Sequence, residues 1–175
     1  MARLGIGILI IPQKPWEDVA VELDSYRAVY LNVNGTEAPP PVGAGWVFCD
    51  KDAGRAEEMA RKYIGAYWQS ALKHYNFGGE HFAKTKGYEF YGKMSEALSD
   101  GVDGITDFFL NLQVWGTPDQ CFDKIIDIRS KIGCDSFTGV FSYGGMPYEE
   151  SEQSMRLFAS EVVPQLQGLG AKAVA

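Results

Sequence analysis

The chain has 175 residues, 46% hydrophobic and 22% charged, with 16 Lys and Arg against 23 Asp and Glu for a formal net charge of −7. That is the size and composition of one folded domain, and the acidity opposes contact with nucleic acid or an anionic membrane through a basic surface. The longest aliphatic stretch, Ile8–Ile11, is far short of the ~20 residues of a membrane span. The start MARLGIGILIIP carries one cation and no small-residue cleavage site, so no signal peptide is expected. Cys49, Cys121 and Cys134 are odd in number and lack CxxC spacing, and His74 and His81 are the only histidines. No metal site and no disulfide framework is expected, and a reducing cytoplasm fits. No GxSxG, P-loop or GxGxxG is present.

The elements are better marked than the chemistry. Leu4–Ile11 (LGIGILII) is short, apolar and β-branched, the pattern of a strand buried on both faces. Pro12 ends it and Pro15 can open a helix, in which Val19, Leu23, Tyr26 and Tyr30 form an apolar stripe. Asn34-Gly35 and Pro39-Pro40-Pro41 make a linker no helix can cross, and Pro41–Cys49 reads as a second buried strand. Asp50 or Asp52 caps the next helix, with its stripe at Ala56, Met59, Ala60, Tyr63, Ile64 and Tyr67, ending near His74. Residues 76–104 are glycine- and aromatic-rich without a period, the character of a lid or binding insert. Phe109–Val114 is a weaker strand candidate.

Thr117 and Gln120 spell a capping box, Pro118 takes the first helical position and Gly133 follows the last turn. Phe122, Ile125, Ile126 and Ile132 mark that helix's inner face, with Arg129 at its edge. Ser136–Tyr143 is the next strand. A last helix opens near Pro147, buries Met155, Phe158, Ala159, Val162, Val163 and Leu166, and is kinked by Pro164. Strands alternating with helices imply an α/β fold with three or four parallel strands, open at an edge that an upstream part of the chain or a partner subunit is expected to complete.

Three stretches carry a resemblance: LGIGILIIPQKPWEDVAVELDSYRAVY, WVFCDKDAGRAEEMARKYIGAYW, and WGTPDQCFDKIIDIRSKIGCDSFTGVFSYGGMPYEESEQSMRLFASEVVPQL. Together they resemble the C-terminal half of luciferase-like flavin-dependent monooxygenases, the family of bacterial luciferase. The resemblance implies one partial TIM (β/α)8 barrel domain over residues 1–175 with 76–104 as its lid. It also implies reduced FMN, or a deazaflavin in a related branch, at the C-terminal ends of the strands. It begins near the sixth barrel strand. Strands one to five, with the family's active-site histidine and most flavin phosphate contacts, are therefore expected upstream of Met1, and no catalytic residue carries over.

On this resemblance Gln13, in the turn after the first strand, lies near the flavin ring; otherwise it belongs to a plain solvated turn. Gly144 and Gly145 let backbone approach a cofactor beside a helix N-terminus, or they serve only a tight turn. His81, with Tyr88 beside it in the insert, touches substrate or is a solvated loop histidine. His74 closes a helix, and Trp46, Trp68 and Trp115 read as core or lid aromatics. The activity implied is oxidation of a small organic substrate by reduced flavin and O2. The alternative is a non-catalytic flavin-binding or structural remnant. The expected partners are the substrate and O2, together with a second copy of the chain or an N-terminal half.

Overall fold

In a computed structural model, residues 1–75 and 102–172 are described. A 3-10 turn (Ala2–Leu4) precedes β1 (Leu9–Ile10), α1 (Trp16–Asn34), β2 (Val42–Cys49) and α2 (Ala53–Tyr75). After the undescribed segment come α3 (Val102–Leu112), β3 (Val114–Gly116), α4 (Pro118–Ile132), β4 (Ser136–Val140), α5 (Tyr148–Glu161) and α6 (Val163–Lys172). His81 and Tyr88 lie outside the described residues, as does the body of the expected lid.

All pairings run through β2 and all are parallel. Leu9 pairs with Val42, the run Ser136–Val140 with Val42–Trp46, and Val114–Gly116 with Val47–Cys49. Alternate amides of a strand point to opposite neighbours. Val42 N donates to Ile8 O at 3.0 Å, Asp50 N to Gly116 O at 3.1 Å and Trp46 N to Gln113 Oε1 at 3.1 Å. All three donors are even-numbered, so β1, Gln113 and β3 follow one another along one edge of β2. β4 takes the other edge.

Right-handed crossovers then place the helices. The steps β1 to β2 and β3 to β4 run in one direction, so α1 and α4 share a face, while the return step β2 to β3 sends α2 and α3 to the opposite face. Packing follows: Val47 and Cys49 cluster with Trp16, Leu23, Ile125 and Ile128, whereas Trp46 and Phe48 cluster with Ile64, Trp68 and Phe109. The two-residue period of the strand divides these sets, and β2 is buried from Gly43 onward on both faces as its composition predicts.

Helix α4 realises its sequence signals. Gln120 N donates to Thr117 Oγ1, Thr117 N to Gln120 Oε1 at 2.8 Å, and Gly133 closes the helix at φ 65°. Arg27 of α1 adds a bond to Ile132 O at 2.7 Å, satisfying a terminal carbonyl from a neighbouring helix. Thr117→Ala should cost about 1 kcal/mol, read by urea denaturation, because it strands the N3 amide. No measurable loss would remove the capping box from the stability of α4.

Five expectations need correcting. The first strand is reduced to Leu9–Ile10, and Leu4 and Leu9 are 72% and 53% exposed. Side chains of α1 hold the preceding backbone instead: Tyr26 OH donates to Ile6 O at 2.7 Å, Tyr30 OH to Gly5 O at 3.3 Å and Asn34 Nδ2 to Ala2 O at 2.9 Å. Residues at i, i+4 and i+8 share one helix face, so the segment is laid along α1 rather than into the sheet. Phe109–Leu112 belongs to α3 and the strand starts at Val114.

In the last helix the inner face is rotated. Met155 and Ala159 are exposed, while Ser151 and Ser154 are buried beside Phe158 and Val162. The serines tolerate burial because each has a backbone partner, Phe141 O at 2.7 Å and Cys49 N at 2.8 Å. Pro164 lies in the first turn of α6, and the helix breaks at Val162 rather than kinking. In α4 the inner face also includes Cys121 and Ile128, both fully buried and absent from the expected stripe.

Candidate functional site

Helix α2 leaves β2 toward one face, while α5, following β4, packs Phe158 and Val162 on the other. Adjacent parallel strands whose helices diverge open a crevice beyond their C-terminal ends, where α/β proteins place ligands. Here the crevice is filled from within. The ladder with β4 stops at Trp46, leaving Val47 O and Cys49 N unpaired on that edge. Tyr143 OH donates to Val47 O at 2.8 Å, and Cys49 N donates to Ser154 Oγ at 2.8 Å. Burial pushes the Tyr143 phenol far above its ordinary pKa, so it stays a neutral donor.

Next to it Arg55 joins Asp50, at the end of β2, to Glu150 of α5 at 2.6 Å. The hydrogen bonds that Arg55 donates to Glu150 and then to Asp50 raise the guanidinium pKa further. The remaining space, about 250 Å³ among Cys49, Asp50, Lys51, Arg55 and Gln153, has its central cation committed to two carboxylates. Underneath, the Cys121 thiol donates to Gly116 O at 3.7 Å and Phe48 O at 3.9 Å, and the neighbouring Cys49 thiol and then burial hold its pKa well above the ordinary value.

Gly144 and Gly145 form the turn into α5, at φ 61° and 74°. A Cβ on Gly144 would lie 2.2 Å from Tyr63 O, so its close backbone approach is to α2. A Cβ on Gly145 would meet nothing within 4 Å.

Gln13 lies elsewhere. It lines a groove of about 450 Å³ at the outer edge of β1, with Ile8–Ile11 on one side and Val19, Leu23 and Tyr26 of α1 on the other. Lys14, on the same rim, is paired with Glu22. The groove lining includes Gln13 and neither glycine. His74 sits at the exposed end of α2, with Nδ1 2.7 Å from Ser70 O. Trp46, Trp68 and Trp115 pack in the face covered by α2 and α3. Gln113 was missed by sequence reasoning. It is 2% exposed, its Oε1 takes the Trp46 amide where β1 has ended, and its Nε2 has no hydrogen-bond partner among the described residues. The available signal was a lone amide in the apolar run FFLNLQVW. Among the described residues no cluster of His, Cys, Asp and Glu could hold a metal ion, and no helix is long and apolar enough to cross a membrane.

A family model described as luciferase-like monooxygenase matches residues 1–136. The chain belongs to the luciferase-like monooxygenase family. Monooxygenase RslO1 from Streptomyces bottropensis is 24% identical over 94% of this chain and 43% of its own, with a TM-score of 0.63. The oxygenating constituent of 3,6-diketocamphane monooxygenase from Pseudomonas putida, solved in complex with FMN, is 17% identical over 93% and 44%, at 0.61. The coenzyme F420 dependent tetrahydromethanopterin reductase from Methanopyrus kandleri is 20% identical over 95% and 48%, at 0.55. No curated protein sequence matches. The luciferase-like chain therefore has the fold of part of a TIM barrel and spans less than half the length of these structures.

The described residues meet a flavin's needs on one side only. The groove at Gln13 is large enough for a ring system, within the ~300–1,000 Å³ of small-molecule sites. It lies open along the edge of β1, and its one cation, Lys14, is already paired. The glycine turn that could cradle a phosphate is packed on α2 through Gly144. Among the described residues one wall is present, and an enclosed pocket with an anion site is not.

Proposed function

We propose that this chain is the C-terminal portion of a flavin-dependent monooxygenase that uses reduced FMN and O2 on a small organic substrate in the cytoplasm. A deazaflavin is the alternative cofactor. The observation carrying this reading is the family match over residues 1–136. The position of Gln13 just beyond the C-terminal end of β1, at the end of the strands where barrel enzymes keep their sites, supports it. On this reading Gln13 supplies a hydrogen bond to the ring and Ile11 an apolar side, and the catalytic groups lie outside the chain.

A second reading, a non-catalytic remnant, is favoured by one feature. Tyr143, Ser154 and the Arg55 ion pairs close the crevice at the strand ends, so the chain is internally satisfied there without a ligand.

Fluorescence titration tests both. The purified chain should bind FMN weakly and show no aldehyde-dependent oxygen consumption. Gln13→Ala should weaken the binding about fivefold, the equivalent of one net hydrogen bond. Unchanged affinity in that variant removes Gln13 from the site. Tight stoichiometric binding with turnover overturns the one-walled reading, and no detectable binding favours the remnant.

A further inference from the structure

Two of the three buried thiols meet under the crevice at the strand ends. The two-residue period of β2 sends Cys49, with Val47, to the face that α4 covers, and Cys121 joins the same core cluster from the first turn of α4. Cys49 pairs with Gly116 across the ladder between β2 and β3. The Cys121 Sγ lies 3.7 Å from Gly116 O and 3.9 Å from Phe48 O, the carbonyl joined to the Cys49 amide. The thiol therefore sits beside the peptide unit that carries Cys49, on the face the Cys49 side chain shares. The backbones around the pair are held in place. Cys49 N donates to Ser154 Oγ at 2.8 Å, Asp50 N to Gly116 O at 3.1 Å and Cys121 N to Thr117 O at 2.8 Å. The Cys121 thiol's own bonds to the two carbonyls are long and weak, so its side chain can turn at little cost. Cys134, the third buried thiol, lies beneath Gly43, about 20 Å back along β2 from Cys49.

We propose that Cys49 and Cys121 are a peroxide-reactive dithiol, a modification site that closes to an intramolecular disulfide while Cys134 stays reduced. Cys49 reacts first, because it lines the crevice of about 250 Å³ with Asp50 and Arg55, whereas Cys121 is not part of that lining. The neighbouring Cys121 thiol also lowers the Cys49 pKa while its own is raised, which places the thiolate on the crevice side. The Cys49 thiolate attacks one oxygen of hydrogen peroxide. The S–O bond forms as the O–O bond breaks, and the departing hydroxide takes up the proton that Cys49 gave up, leaving as water. The Cys121 sulfur then displaces hydroxide from the Cys49 sulfenic acid, so that an S–S bond replaces the S–O bond, and the Cys121 proton leaves with that hydroxide as a second water. The two sulfurs together lose two electrons and the peroxide gains them. Condensation halts oxidation before the irreversible sulfinic step, and an external thiol reverses it. Disulfides of a reducing compartment are of this transient kind. The pair lies within the core and away from the groove at Gln13, so it stands whether or not the chain binds a flavin.

The reduced 175-residue chain is treated with hydrogen peroxide without denaturant, then unfolded, alkylated and mapped by mass spectrometry. The expected product has lost two hydrogen atoms, joins the peptides of Cys49 and Cys121, and reverts with dithiothreitol. Cys134 gauges folding within the same sample. An unfolded chain would oxidise it with the others, so its retention shows that the native arrangement selected the pair. Cys121→Ala should leave Cys49 as a sulfenic acid that dimedone captures, and Cys49→Ala should slow thiol loss at Cys121 at least ~10-fold. Cys134→Ala should leave the rate of disulfide formation unchanged. Intact Cys49 and Cys121 thiols after excess peroxide overturn the proposal. A disulfide through Cys134, one between two chains, or equal oxidation of all three thiols overturns it as well, and returns Cys49 and Cys121 to ordinary core side chains.

Discussion

Gly144→Ala lowers stability by about 3 kcal/mol or more, the sum of a left-handed backbone at ~1–2 kcal/mol and a steric clash. The clash is the larger part. The new methyl group would sit 2.2 Å from Tyr63 O and 3.1 Å from Tyr63 C, both backbone atoms inside α2 that cannot swing aside. Relief requires α2 to move from the turn after β4, which also disturbs the Tyr143 bond to Val47 O. The neighbouring glycine is an internal control. Gly145→Ala carries a similar strain, at φ 74°, but its methyl group points into open space. It should cost only about 1 kcal/mol. Urea unfolding of the two variants separates backbone strain from contact. Equal losses would show that the approach to α2 does not limit the turn, and would return Gly144 to the set of residues free to face a ligand.

Phe109→Ala should cost about 4 kcal/mol, within the ~3–5 kcal/mol of large aromatic truncations. Phe109 is 1% exposed and stacks on Trp68 with centroids 4.1 Å apart and planes 3° from parallel. It also leans on Trp46 of β2 at 5.4 Å. One ring thus ties α2, α3 and the strand together, and its removal leaves a cavity between three elements that collapse poorly. Near-ultraviolet circular dichroism should lose intensity with the mutation, because Trp68 and Trp46 lose an ordered neighbour. A cost below ~1 kcal/mol with an unchanged spectrum would mean that the α3 packing contributes little to stability.

Much of the fold is legible in the chain because its signals are local. Thr117, Pro118, Gln120 and Gly133 define α4 through bonds that close within a few residues, and they do so in the structure. The run Val42–Cys49 announces a strand buried on both faces by composition alone. Family membership is legible for a related reason: the resembling stretches are themselves local runs of residues. The luciferase-like match over residues 1–136 contains the first two of the three resembling stretches and the start of the third.

Only the tertiary structure decided the fate of LGIGILII. Its composition asks for burial, but β-pairing depends on a neighbour and on competing bonds, and Tyr26 and Tyr30 claim its backbone from twenty or more residues away. The buried face of α5 escaped periodicity in part because Ser151 and Ser154 go inward to meet Phe141 O and Cys49 N, partners set by where β4 and β2 end. Gln113 is buried because β1 stops short and leaves the Trp46 amide unpaired. The separation of Gln13 from Gly144-Gly145 follows from the same source. Both sit after strands, but the reversal of strand order between β2 and β3 brings α2 across the glycine turn and leaves Gln13 at an open edge. Local sequence sets which backbone conformations are cheap; which polar groups need a partner is settled only when distant elements meet.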